Sequence, residues 1–201
     1  MPLIKELHND DGTHILIYHG SESLDFFIER TRLSPQDKTN LEKYTVERRK
    51  KDLVIARYLL QHCYPKAEVV YHPSGKPYLK NGEAEISISH SKDLVAVILH
   101  KDKTVGIDIE YITPRLERLK QRYLSAQEIA DANTTTLLTL YWSAKETLFK
   151  LDEAQGLEFN TDLKLSPTKG RNILIGKIKD GNDISVHYSI HNEWVMTYAL
   201  S

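Results

Sequence analysis

Apolar and polar positions change their period several times along this chain, and each change marks an element. His14 to His19 reads as a short apolar strand. Ser34-Pro35 followed by Asp37 supplies an N-cap, a proline at the first helical position and an acid in the first turn. From about Leu41 to Cys63 the spacing predicts one long helix, with Val46, Leu53, Ala56 and Leu60 as its buried stripe. Tyr64-Pro65 ends it. Val69 to Tyr71 is strand-like and Pro73 to Pro77 is a turn. Glu85 to Ser89 and Leu94 to His100 read as paired strands joined by a short loop, and Asp102-Lys103 turns the chain into a strand at Val105. Arg115 to Ala132 and Thr136 to Asp152 carry helical periodicity. Ile173 to Ile178, Ile184 to Ile190 and Trp194 to Leu200 alternate apolar and polar residues around turns at Asp180-Gly181 and Asn192-Glu193, an antiparallel meander. Each half thus offers helices followed by antiparallel strands, which predicts an α+β fold.

Composition narrows the classes. A chain of 201 residues supports one sizeable core or two small ones. Its formal net charge of −1 gives no global basic field for nonspecific nucleic-acid binding. Cys63, the single cysteine, has no internal disulfide partner, which fits a reducing cytoplasm. The run Met1-Pro2-Leu3-Ile4-Lys5-Glu6 lacks the charged-then-apolar pattern of a signal sequence, and no apolar run reaches the length of a membrane span. The expectation is a cytoplasmic protein with neither nucleic-acid nor membrane partners.

The candidate chemistry lies in two segments. In Gly106-Ile107-Asp108-Ile109-Glu110 the two carboxylates share one strand face, while Val105, Ile107 and Ile109 share the other. In Trp142-Ser143-Ala144-Lys145-Glu146-Thr147-Leu148-Phe149-Lys150, Glu146 and Lys150 are neighbours on one helix face. Taken singly, each is an ordinary solvated face. Together they gain weight from Gly106, which weakens a strand interior unless a backbone or ligand approaches closely. The helix is also apolar around much of its circumference, so Glu146 is not wholly bathed in water. Carboxylates that are close and partly buried repel, and a hard divalent cation relieves them.

These residues carry a resemblance. Gly106-Ile107-Asp108-Ile109-Glu110 followed by Trp142-Ser143-Ala144-Lys145-Glu146-x-x-x-Lys150 resembles the signature of the 4′-phosphopantetheinyl transferase superfamily, in the spacing of its larger, surfactin-synthetase-activating type. Three further segments agree in order and spacing. Ile88-Ser89-His90-Ser91 with the apolar run Leu94 to Leu99 is similar to its Ser-His segment, and Gly75-Lys76-Pro77 to its Gly-Lys-Pro turn. Glu47-Arg48-Arg49-Lys50-Lys51-Asp52, with Ala56-Arg57 beyond, is similar to its basic helix.

The resemblance implies two similar α+β subdomains forming an internal pseudo-dimer, residues 1–103 and 104–201, with the active site in the cleft between them. It implies transfer of 4′-phosphopantetheine from coenzyme A to a serine of an apo acyl or peptidyl carrier protein, releasing 3′,5′-adenosine bisphosphate. Asp108, Glu110 and Glu146 would hold Mg²⁺, and Lys150 would neutralise charge on the bridging or leaving oxygen. Glu128 matches an acid that takes the serine's proton, directly or through a metal-bound water. Arg48, Lys76, Ser89 and His90 would contact coenzyme A, Arg49 and Lys51 being alternatives to Arg48. A monomer is expected, since one chain supplies both sides. Other classes stay open at this point: a Mg²⁺-dependent phosphodiesterase or nuclease, which also gathers carboxylates and a lysine, and a non-catalytic module that binds carrier proteins. The acceptor and its pathway, fatty-acid or secondary-metabolite, are not written in any motif.

Overall fold

The computed structural model describes residues 3–152 and 156–201, so Met1 and Pro2 of the N-terminal run lie outside the described residues. The chain divides into two compact units, Met1–Asp102 and Lys103–Ser201. Each mixes helices with antiparallel strands, the α+β fold that the periodicity predicts. Among the described residues, no helix is long and apolar enough to cross a membrane.

The first unit is built on a four-stranded antiparallel sheet in the order β1-β2-β6-β5, from β1 (Leu3–His8), β2 (His14–His19), β5 (Glu85–Ser91) and β6 (Leu94–His100). Helix α3 (Glu47–Cys63) packs on β2 and β6. Its buried face is Leu53, Ala56 and Leu60 with Leu59, set against Leu16, Tyr18, Val95 and Val97. The short helix α1 (Leu24–Ile28) packs on α3, and strands β3 (Val69–Tyr71) and β4 (Pro77–Leu79) form a separate hairpin.

One predicted helix proves to be two. Helix α2 (Pro35–Lys43) begins at Ser34 with a reciprocal capping box to Asp37. It stops at Tyr44, and α3 begins only after Val46, both residues having extended backbone. Thr45 and Val46 are β-branched and stiff at χ1, so the break falls where helix propensity is weakest. Val46 is consequently exposed, not part of the buried stripe.

The second unit holds a five-stranded antiparallel sheet in the order β7-β11-β10-β9-β8. Its strands are β7 (Val105–Tyr111), β8 (Leu163–Pro167), β9 (Ile173–Ile178), β10 (Ile184–Ile190) and β11 (Trp194–Leu200). The C-terminal meander β9-β10-β11 is as predicted. The 115–132 segment also splits, into α4 (Arg115–Tyr123) and α5 (Ala126–Asp131), because Ser125 turns extended and caps α5. Helix α6 (Thr135–Leu151) lies across the sheet and buries Leu138, Leu140, Tyr141, Ala144 and Leu148.

Candidate active site

Two glycines decide how closely α6 approaches its sheet. A Cβ on Gly106 would collide with the carbonyl oxygen of Thr147 and crowd the Leu151 side chain at 3.2 Å. One on Gly176 would meet Leu148 at 2.8 Å. The close approach expected at Gly106 is therefore helix backbone. Gly106, Asp108 and Glu110 share one strand face, so the helix that covers Gly106 also comes down onto Asp108. Hydroxyls fix the contact. Ser143 and Thr147, one turn apart on α6, both meet the Thr197 hydroxyl, at 3.0 and 2.6 Å. Thr197 is the residue of β11 paired with Asp108.

The result is a compact cluster of charges. Lys150 Nζ donates to Asp108 Oδ1 at 2.9 Å and to the Ile107 carbonyl at 2.8 Å. Asp108 is buried. Glu146, one turn before Lys150, is pushed up to about 7, first by burial and then by the charges of Asp108 and Glu110, with Lys150 opposing. Four of the residues singled out by sequence, Asp108, Glu110, Glu146 and Lys150, are thus brought into mutual electrostatic reach within one unit. Three carboxylates gathered beside one ammonium are a hard-oxygen donor set, which fits Mg²⁺ better than a softer ion.

Glu128 is committed elsewhere. It is buried, and its Oε2 accepts from Lys145 Nζ and from the Ser125 amide, both at 2.7 Å, while Oε1 accepts from the Leu165 amide at 2.8 Å. As it stands it caps α5 and ties that helix to β8 and α6.

Lys145 is the residue that sequence reasoning passed over. It is 0% exposed, and its ammonium also donates to the Phe159 carbonyl at 2.7 Å. Burial lowers its proton affinity, and Glu128 works against that. Phe159 is held by ring contacts to Trp142 and Phe149 at 5.4 and 5.5 Å, which explains that aromatic spacing on α6. The available signal was a lysine followed by Glu146 inside a helix apolar around much of its circumference, where both charges cannot reach water.

The first unit carries the basic residues. His90 Nδ1 lies 3.4 Å from Asp52 Oδ2, and Arg48 Nε lies 3.9 Å from the same oxygen. Burial raises the proton affinity of Asp52, while His90, Arg48 and Lys51 lower it. Asp52 lines two cavities. One, of about 360 Å³, is walled by Tyr44, Arg49, Asp52, Arg57, Tyr71 and His90, with Gly75 and Pro77 on either side of Lys76 at its edge. The other, of about 430 Å³, takes Arg48, Lys51 and Lys92. Arg49, not Arg48, therefore shares a cavity with His90. Ser89 is buried and, by strand alternation, faces away from His90. Arg57, given no role by the sequence, is 2% exposed, bonded to Asp37 at 2.9 Å and to the Tyr71 hydroxyl at 3.1 Å.

Comparison with known proteins agrees with these motifs. Residues 104–199 match the 4′-phosphopantetheinyl transferase superfamily. Over 113 residues the chain is 30% identical to the 4′-phosphopantetheinyl transferase HetI of Nostoc sp. (strain PCC 7120), a match covering 49% of this chain and 47% of that protein.

Proposed function

We propose that this chain, of the superfamily's larger type, transfers 4′-phosphopantetheine from coenzyme A to a serine hydroxyl of an apo acyl or peptidyl carrier protein in a Mg²⁺-dependent reaction. The carrying observation is the cluster of Asp108, Glu110 and Glu146 with Lys150, held by a helix seated on Gly106. Asp108, Glu110 and Glu146 are the residues that would hold Mg²⁺. When bound, the ion supplies charge compensation to the pyrophosphate and to the crowded carboxylates.

In the reaction the serine oxygen forms a bond to the β-phosphorus of coenzyme A. The bond from that phosphorus to the bridging oxygen breaks, and 3′,5′-adenosine bisphosphate leaves. Such a displacement asks the protein chiefly for alignment and charge stabilisation. Lys150, anchored by the Ile107 carbonyl and Asp108, presents fixed positive charge to the departing oxygen. In the first unit, Arg49, Lys76 and His90 bind the nucleotide phosphates around the 360 Å³ cavity, a size suited to a small ligand. Arg48 and Lys51, on the neighbouring cavity, add positive charge alongside. For Glu128 to take the serine's proton it must first shed Lys145. In the resting protein it positions α5 and α6.

The test is direct. Incubation with coenzyme A, Mg²⁺ and a panel of apo carrier proteins should add the mass of one phosphopantetheine to at least one carrier, and chelation of the metal should abolish the gain. Coenzyme A consumption without carrier modification would overturn the proposal.

A further inference from the structure

The first unit gathers a second set of metal-ligating side chains, of different chemistry. In the β1–β2 ladder His8 stands directly opposite His14, and Glu6 lies on the same face two residues before His8. The two imidazoles meet at 2.5 Å, His8 Nδ1 to His14 Nε2, and Glu6 Oε1 is 2.8 Å from His8 Nε2. One donor atom from each of Glu6, His8 and His14 lies within 4.8 Å of the others. The last turn of α3 adds His62, whose Nε2 is 4.0 Å from Glu6 Oε2.

We propose that Glu6, His8, His14 and His62 form a site for a zinc-class divalent ion, joining edge strand β1 to the end of α3. Donors bound at about 2.0–2.1 Å around a tetrahedral ion stand about 3.4 Å apart, so small side-chain rotations from the observed spacing suffice. Imidazole-rich donor sets select Zn²⁺, Ni²⁺ or Cu²⁺, whereas Mg²⁺ requires oxygen ligands. This separates the site in chemistry from the carboxylates of the second unit.

Two neighbours favour the ion. His14 turns its Nε2 towards His8. Its other nitrogen, Nδ1, is 3.8 Å from Cys63 Sγ, the outer contact that fixes a ligating imidazole's orientation. Cys63 is half-buried and serves as that contact, not as a ligand. Both His8 and Glu6 are well exposed, so removing them leaves the cores intact.

The experiment titrates the metal-free full chain with Zn²⁺, and separately with Co²⁺ as a spectroscopic probe. One equivalent should bind in the presence of excess Mg²⁺, with the visible absorption of tetrahedral Co²⁺, and should persist in Asp108→Ala. His8→Ala and Glu6→Gln should each weaken binding about tenfold or more, with unchanged circular dichroism. Zinc should raise the unfolding temperature of the parent chain more than that of His8→Ala at the same concentration. Binding that disappears in Asp108→Ala, or that is as tight in His8→Ala as in the parent, would overturn the site.

Discussion

Helices α3 and α6 invite comparison. Both are 17 residues long, both lie on antiparallel sheets, and each buries one basic side chain against one acid: Arg57 on Asp37, Lys145 on Glu128. Their remaining charges end up in opposite situations. Under α3, strands β1, β2, β5 and β6 contain no glycine, and the helix is held off by Leu53, Ala56 and Leu60. Room is left along its flank for two cavities, into which Arg48, Arg49 and Asp52 project. Under α6, Gly106 and Gly176 let the helix descend until Lys150 reaches the Ile107 carbonyl. The same architecture yields a ligand-sized cavity in one case and a tight charge cluster in the other. Side-chain volume beneath the helix makes the difference.

The largest expected effect breaks the similarity at the buried pairs. Glu128→Ala strands the Lys145 ammonium in the core and should cost about 3–5 kcal/mol of stability. Replacing both residues by apolar ones of similar size should restore most of it. Denaturant unfolding of the three variants checks this, and a Glu128→Ala chain as stable as the parent would show that the pair is not what holds α5 to α6.

A pH series sharpens the comparison next. Glu146 has an ordinary value of 4.5 and sits near 7 in the folded metal-free protein. Between those values the folded state holds the extra proton, so folding is favoured at the acid end and weakens as pH rises towards 7. The penalty is on the order of 3 kcal/mol when fully developed. Glu146→Gln should remove it, so the variant gains on the parent progressively from pH 4.5 to 7 in metal-free unfolding curves. A constant difference across that window would mean that neither burial nor the neighbouring carboxylates raise the Glu146 carboxyl.

Smaller still is the test of the glycine. Gly106→Ala forces Thr147 off β7 and should cost about 1–3 kcal/mol, with a loss of transfer larger than the loss of folded protein at working temperature. Adding an alanine on the sheet beneath α3 has no counterpart, since that helix already rests on side chains.

Much of this was legible in the sequence, for reasons that the comparison makes plain. The meander β9–β11 could be read because each strand alternates over six or seven residues. The carboxylate–lysine cluster could be read because strand and helix periods alone put Asp108 with Glu110 and Glu146 with Lys150 on shared faces. Breaks inside helical stretches were hidden: Tyr44 to Val46 and Leu124–Ser125 differ from helix in backbone angle, not in hydrophobic pattern. Strands β1, β4 and β8 and helix α1 were missed, three of the four being too short to show a period. Burial of Lys145 and Arg57 depends on acids 17 and 20 residues away along the chain. That Arg49 shares a cavity with His90 while Arg48 lines the neighbouring one follows from how α3 is rotated on its sheet, which spacing within the motif does not set.

The proposed function divides the labour: the α6 cluster would drive the chemical step and residues of the α3 cavity would bind coenzyme A. The most direct measurement is steady-state transfer to a carrier protein by Asp108→Asn and His90→Ala in saturating Mg²⁺. Asp108→Asn should lose about 10²–10³-fold in kcat. His90→Ala should keep kcat within a few-fold while raising the KM for coenzyme A, the loss being about 1.5–3 kcal/mol for a charged hydrogen bond. Equal losses in the same parameter for both variants, or full activity of Asp108→Asn, would contradict the account.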